Sequence, residues 1–374
     1  MRFRASVWLA IPSITTCLLA LVTPGNAVEL HPGLEFLPMM AAGHATEANL
    51  STQLRTPQQI TKILTRAEHG SARDQFLMGY AYAKGIGEEQ NPAEALAWYR
   101  RAADRSEPAA ITELGRAYLQ GWGVQQDNDK ALQYFRRAAS DGYAPAETDL
   151  GLLYFRGVGV TRDPAGAVRW WQKAAEQGYP PAESNIGVAY LNGDGVARDP
   201  NRAVQSFRKA AKAGIANAEF NLASCYELGQ GIPEDAAQAV TWYRKAAQQG
   251  HSQAQNNLGF LYQSGRGVAQ DSIEALRLYL LAASNGNSKA FLNLANVFRL
   301  GIGVKPDAEM AYMWLVAAAD RGEEVADALR SQAAVLTVDQ AANARARASQ
   351  WVAAHPKSGA LELSSSDEQS LASR

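Results

Sequence analysis

A Gly-x-Gly motif recurs seven times in this sequence, each time 36 residues after the previous one. Its glycine pairs are Gly85/Gly87, Gly121/Gly123, Gly157/Gly159, Gly193/Gly195, Gly229/Gly231, Gly265/Gly267 and Gly301/Gly303. A second column keeps the same interval and holds alanine in all seven units. Those alanines are Ala95, Ala131, Ala167, Ala203, Ala239, Ala275 and Ala311. Such regular spacing predicts one supersecondary unit repeated along the chain, each copy burying its apolar face against its neighbours.

The sequence of each unit predicts two helices, as residues 144–178 illustrate. Leu150 and Tyr154 belong to one helical face, and Gly157 ends that helix because glycine adopts the left-handed conformation readily. Asp163, followed by proline, begins the second helix, since aspartate is a favoured N-cap and proline suits the first helical position. The sequence therefore predicts an all-α fold.

The repeated unit resembles the Sel-1-like repeat, a longer relative of the tetratricopeptide repeat. The resemblance rests on Leu-Gly-x-x-Tyr in the first helix, the Gly-x-Gly loop, the Asp-x-x-x-Ala start and the aromatic-x-x-Ala-Ala second helix, and it covers residues 72–322. It implies a right-handed superhelical solenoid of seven helix-pair repeats. It also implies a protein-binding scaffold and not an enzyme.

Helix-capping patterns mark both ends of the array. Thr56, with glutamine three residues later, predicts an N-terminal capping helix within residues 56–71. Thr337 carries the same pattern inside a predicted C-terminal helical cap over residues 323–354. Such caps keep a repeat stack soluble. The remaining boundaries are residues 28–55 for a linker and residues 355–374 for a disordered, Ser-rich tail.

The first 27 residues predict an export signal peptide. Arg2 and Arg4 precede an apolar stretch, and Gly25 and Ala27 place small residues where signal peptidase cleaves. The stretch is short for a membrane span and no stop-transfer pattern follows. We therefore expect a periplasmic or secreted protein with no stable membrane span. A membrane-tethered adaptor with an uncleaved helix is the alternative.

Charge, cysteine usage and motif context argue against several kinds of site. Formal net charge is −1, which lacks the basic excess of a nucleic-acid binder. Cys17 and Cys225 are too few for a disulfide framework or a zinc site, and Cys225 falls in an apolar column. The Gly-x-Gly motifs follow helices, whereas a dinucleotide fingerprint follows a strand. No catalytic, metal or cofactor site is predicted.

The strongest functional candidate is a column of asparagines on the first helices. By resemblance to tetratricopeptide repeats, first helices line a concave groove in which such amides hydrogen-bond the main chain of a bound peptide. An amide both donates and accepts, so it reads main chain irrespective of sequence. The predicted groove residues are Asn185, Asn221, Asn257, Asn293, Phe220, Phe260, Asn256, Asn296, Glu227 and Arg299. The alternative interpretation is that these asparagines only hold the neighbouring helix.

A second hypothesis is a protein that binds or modifies peptidoglycan or polysaccharide of the cell wall, which would need a cluster of titratable groups in one pocket. The asparagine column holds Glu113 and Asp149 in the earlier units, and Glu183 lies nearby in sequence. Catalysis would require two of these carboxylates within a few ångströms, one of them desolvated. Since successive units stack about 10 Å apart, direct cooperation is not expected.

Basic residues recur near the ends of the second helices, in pairs such as Arg136-Arg137 and Arg244-Lys245. Cations near a helix C-terminus complement the helix dipole. A functional basic stripe is the alternative. The pattern stops at Leu280 and Val316, which predicts cover by the C-terminal helices or by a partner.

Overall fold

The computed structural model describes residues 53–54, 56–87 and 89–355, which contain seventeen α-helices and no strand. The predicted signal peptide, the linker up to residue 52 and the tail from residue 356 lie outside the described residues. Helix α1 (Pro57–Glu68) precedes the repeats, and α16 (Ala326–Ala333) and α17 (Val338–Ala354) follow them. The first helices of units 1–7 are α2 (Ala72–Lys84), α4 (Pro108–Gln120), α6 (Ala144–Arg156), α8 (Pro180–Asn192), α10 (Ala216–Leu228), α12 (Ser252–Ser264) and α14 (Ser288–Leu300). The second helices are α3 (Pro92–Asp104), α5 (Asn128–Ser140), α7 (Pro164–Glu176), α9 (Pro200–Lys212), α11 (Ala236–Gln248), α13 (Ser272–Ser284) and α15 (Ala308–Asp320).

The two helices of a unit approach each other where a glycine of the first lies beneath an aromatic ring of the second. A Cβ added at Gly187 would come within 2.5 Å of the Phe207 ring, and one at Gly151 within 2.5 Å of Trp171. Ala203, in the invariant alanine column, is fully buried. Each second helix then packs on the first helix of the next unit, which extends the stack. The predicted all-α repeat fold is confirmed.

The loop between the two helices is closed by the backbone and by a side-chain cap. In unit 3, Gly157 ends α6 with φ 74° and the amide N–H of Asp163 donates to the carbonyl oxygen of Tyr154 at 2.8 Å. The Asp163 carboxylate then accepts from the amide N–H of Gly166 at 2.8 Å and caps α7. The backbone bond recurs in all seven units. These caps fix the residue at which the second helix of each unit begins.

Additional helices cover both ends of the array. Thr56 forms a complete capping box at the start of α1, and Leu54 before it is only 1% exposed. At the other end, Ala344 of α17 is fully buried in the C-terminal apolar cluster, and Val316 of α15 packs against the same cluster. The C-terminal helices thus cover the outer surface of the last repeat where its basic residues stop. None of the helices in the described part of the chain is both long and apolar enough to cross a bilayer.

Gly231, the second glycine of its motif, lies against the preceding unit. It has φ 68°, and an added Cβ would lie 2.1 Å from the carbonyl oxygen of Pro200. Gly250, at the end of the same unit, has φ 85° but no atom within 4 Å of an added Cβ. Substitution of Gly250 therefore tests backbone strain alone, whereas substitution of Gly231 tests strain together with the contact between units.

We expect Gly250→Ala to lower the free energy of unfolding by about 1–2 kcal/mol through left-handed strain alone. Gly231→Ala should lower it by at least ~3 kcal/mol, because overpacking against Pro200 adds to the strain. Urea denaturation followed by circular dichroism measures both costs. Equal costs would show that the contact between units is easily relaxed.

Candidate functional site

The asparagine column lies along the first helices of units 4–7. Asn185, Asn221 and Asn257 are buried, with 3%, 4% and 5% of their surface exposed, and Asn293 is half-buried. Each precedes the Leu-Gly, Leu-Ala or Ile-Gly pair that packs into the unit. The column therefore occupies the boundary between the core and the surface formed by successive first helices.

A chain of hydrogen bonds joins the amides of units 6 and 7 to a tyrosine of unit 5. Asn293 Nδ2 donates to Asn256 Oδ1 at 2.8 Å, and Asn256 Nδ2 lies 3.4 Å from Asn257 Oδ1. Asn257 Nδ2 in turn donates to the hydroxyl of Tyr243 at 3.2 Å. Three predicted groove residues thus form one connected polar array.

Tyr243 is the centre of this array. Its fully buried hydroxyl donates to Glu227 Oε2 at 2.7 Å and lies 2.9 Å from Ser224 Oγ. Burial and the negative charge of Glu227 raise the pKa of Tyr243 well above its usual value, so the phenol stays neutral. The guanidinium of Arg266 lies 3.9 Å from Glu227 and partly balances that charge.

Phe220 and His251 form the apolar side of the array. The Phe220 ring is 3% exposed, with its centroid 5.7 Å from that of Tyr243 and 4.6 Å from the stacked imidazole of His251. His251 Nδ1 accepts from the amide N–H of Ala254 at 3.2 Å, so in the neutral ring the proton is on Nε2. Burial lowers the pKa of His251 to about 4.

The remaining predicted groove residues extend from this array toward solvent. Phe260 and Asn296 are half-buried and Arg299 is exposed, with Arg299 Nη2 donating to Asn296 Oδ1 at 3.0 Å. Asn185 lies on α8 in unit 4, and Asn221 lies on α10 in unit 5, the unit that also contains Tyr243. The C-terminal units therefore combine fixed amides with partly accessible ones.

An ion-paired cluster occupies the same column in units 2 and 3. Arg116 Nε donates to Asp149 Oδ2 at 2.8 Å, and its Nη1 donates to Glu113 Oε1 at 2.6 Å. Burial would lower the pKa of Arg116, but attraction to Asp149 and Glu113 outweighs it and the pKa is raised. Glu183 instead pairs with Lys209 Nζ at 2.8 Å. Two of the three predicted carboxylates thus meet, but through a shared cation.

Sequence reasoning missed Tyr243 and Arg116, the residues that organise the two polar clusters. Tyr243 falls in the second-helix aromatic column with Phe135 and Phe207, whose rings have no hydroxyl and only pack. Arg116 was detectable as the one charged residue in its first-helix column. Cys225 is fully buried and burial raises its pKa to about 12, in keeping with a structural thiol.

Comparison with known proteins places this geometry in a family. The Sel1 repeat matches residues 72–107, 108–143, 144–179, 180–215, 216–251, 252–287 and 289–323. The chain belongs to the Sel1 repeat family. Proteins of this family generally act as scaffolds for protein–protein interaction and are generally not enzymes.

Two solved structures resemble this Sel1 repeat protein. A Sel1 repeat protein from Oxalobacter formigenes is 34% identical, with a TM-score of 0.60, and the match covers 67% of this chain and 99% of that one. The protective antigen c5321 of uropathogenic Escherichia coli is 31% identical, with a TM-score of 0.58. That match covers 78% of this chain but 64% of the antigen. The curated proteins contain no match to the chain.

Stability should depend on pH through His251. Between pH 6.5 and about 4 the unfolded imidazole binds a proton that the imidazole of the folded protein does not, so the free energy of unfolding falls by up to ~3 kcal/mol as the pH drops. His251→Asn should remove this dependence and keep the cap, since Asn287 caps the next unit in the same column. Denaturant titrations from pH 7 to pH 4 compare the slopes. Parallel curves for the two proteins would contradict the expectation.

Loss of the Tyr243 hydroxyl should weaken the array. Tyr243→Phe leaves buried Glu227, Ser224 and Asn257 without their common partner, which should lower the free energy of unfolding by about 2–3 kcal/mol. Tyr279→Phe is the matched control, because within the described residues its hydroxyl bonds to Gln263 Oε1 alone, at 2.9 Å, and its loss should cost about 1 kcal/mol. Both costs are measured by urea denaturation. Equal costs would mean that the array contributes nothing beyond a single hydrogen bond.

Proposed function

We propose that this Sel1 repeat protein is an exported scaffold that binds an extended segment of a partner protein along the first helices of units 5–7. The observation that supports this proposal is the connected amide array that ends in the half-buried Asn293, with the half-buried Asn296 three residues further along α14. Amides held in place by internal hydrogen bonds lose little conformational freedom when a ligand arrives. The site is therefore organised before binding.

The amides retain hydrogen-bonding capacity for a peptide main chain. A primary amide has two N–H donors and an acceptor oxygen. Asn293 donates one of its N–H groups to Asn256. Phe260, half-buried beside this row, offers apolar surface to a partner side chain. Arg299, exposed at the end of α14, adds a positive charge. The combination suits an extended segment with one apolar anchor.

Export is the second part of the proposal and rests on the sequence. Arg2 and Arg4, the apolar stretch after them and the small residues Gly25 and Ala27 together form the pattern of a cleavable signal peptide. We infer cleavage after Ala27 and a periplasmic or secreted scaffold.

Cell-wall modification is less well supported. Glu113 and Asp149 approach each other only by sharing Arg116, whereas a glycosidase-type pair needs one carboxyl group held protonated beside an ionised one. Both carboxylates are instead ion-paired to one guanidinium. Glycan binding by the groove would appear as crosslinks to glycan in the experiment below.

Site-specific photocrosslinking in the native host tests the proposal. A photoreactive residue at position 296 is expected to capture a discrete protein, and one at position 277, on the exposed side of α13, is not. Capture from position 296 should fall at least fivefold when Asn293→Ala and Arg299→Ala are added. The protein recovered from a non-cytoplasmic fraction should begin at Val28.

Matched substitutions on the opposite surface provide the control. Glu274→Ala with Arg277→Ala removes an exposed ion pair of 2.6 Å on α13 and should leave capture unchanged. Equal loss in both variants, or equal capture from both positions, would contradict groove binding. Crosslinks to glycan instead of protein would favour the cell-wall hypothesis. An intact N-terminus in the cytoplasm would contradict export alone.

A further inference from the structure

The second helices of units 2–5 carry a concentration of positive charge that the proposed groove does not use. Helices α5, α7, α9 and α11 contain eleven Lys or Arg and two Asp or Glu, whereas the whole chain has 36 and 37. The first helices α4, α6, α8 and α10 contain six Asp or Glu and two Arg. The two helix layers of these units are therefore oppositely charged. We call the exposed surface of α5, α7, α9 and α11 the basic face.

Arginines of the basic face are held in place by the neighbouring unit. In three units the guanidinium near the end of a second helix donates to a tyrosine hydroxyl of the next first helix. The pairs are Arg136–Tyr154 at 3.1 Å, Arg208–Tyr226 at 3.2 Å and Arg244–Tyr262 at 2.8 Å. One bond to a neutral hydroxyl uses one of five N–H donors and leaves the charge uncompensated. Such arginines are ordered before a carboxylate binds them.

Lysines extend these rows of charge. Lys173 Nζ lies 4.4 Å from the centroid of the Trp170 ring, and Lys245 Nζ lies 3.9 Å from that of Trp242. Both lysines are exposed, and so is Lys212 at the end of α9. A cation over an aromatic ring keeps its full charge while its position is restrained. Units 3 and 5 thus each present a restrained lysine in addition to the arginines that bond to tyrosine.

We propose that the basic face binds an acidic, extended segment of a partner protein. An extended chain advances about 3.3 Å per residue, so regularly spaced carboxylates along it can reach cations of more than one unit. Large apolar side chains that are exposed in the described part of the chain, such as Ile273 and Val338, lie outside these four helices. Since stable membrane attachment needs apolar insertion or a lipid anchor in addition to charge, a lipid surface fits this face less well.

Fluorescence anisotropy with a labelled fifteen-residue peptide bearing glutamate at every third position tests the proposal. Binding to the mature protein is expected to weaken as salt is raised. Lys212→Glu with Lys245→Glu should weaken binding at least tenfold. Lys62→Glu with Lys305→Glu is the matched control, since it makes the same charge change at exposed positions away from the face, and should change affinity less than twofold. Circular dichroism checks that both variants remain equally helical.

Three further measurements distinguish binding at the basic face from binding at the groove or to a membrane. The same peptide with glutamine in place of glutamate should not bind, and the groove variant Asn293→Ala with Arg299→Ala should bind as the wild type does. Equal weakening by the two charge-reversal pairs would overturn the proposal, because net charge alone would then account for binding. Loss of binding in the groove variant would overturn it in favour of the groove. Binding of phosphatidylglycerol vesicles without binding of the peptide would overturn it in favour of a membrane surface.

Discussion

Close approach of two helices at a glycine or an alanine determines the geometry of every unit. Gly187 illustrates the constraint, because the ring of Phe207 occupies the space that a Cβ would fill. With the two helix axes so close, the alanine column at Ala203 becomes fully buried and admits nothing larger. Aromatic rings supply the bulk that small residues cannot, and each unit buries its apolar surface only together with its neighbours. Unit 5 keeps this arrangement with Ala223 in place of glycine and Tyr243 as the ring, both fully buried.

The sequence was sufficient for the helices and their ends, because those depend on local chemistry. Gly157 in the left-handed conformation and the Asp163 cap lie where the pattern predicted them. The organisation of the polar clusters was not predictable, since the partners of Tyr243 come from two other helices in two units. The same limit applies to Glu113 and Asp149, which the repeat interval placed too far apart to cooperate. Arg116 reaches both, and no column pattern encodes that reach.

The asparagine column of the first helices thus forms two different polar clusters, one in units 2 and 3 and another in units 5–7. In units 2 and 3 carboxylates and a guanidinium satisfy one another, and that mutual pairing reduces their attraction for a ligand. In units 5–7 neutral amides link to one another and to a phenol, and an amide engaged at one atom still has others to offer. The repeat therefore keeps its backbone constant while substitutions at one position change the chemistry of the surface. This division allows a solenoid to hold different sites on a single architecture.

The hydrogen bonds from Asn293 through Asn257 to Tyr243 have a mechanical consequence for the array. Repeat proteins usually open unit by unit from their ends, since each unit contacts only its neighbours. Here one polar chain runs through units 5, 6 and 7, so fraying of α14 removes partners from α12 and, through them, from a buried phenol on α11. We therefore expect the C-terminal units to open together. A ligand that restrained α14 would then be expected to restrain the phenol two units away, although it does not contact it.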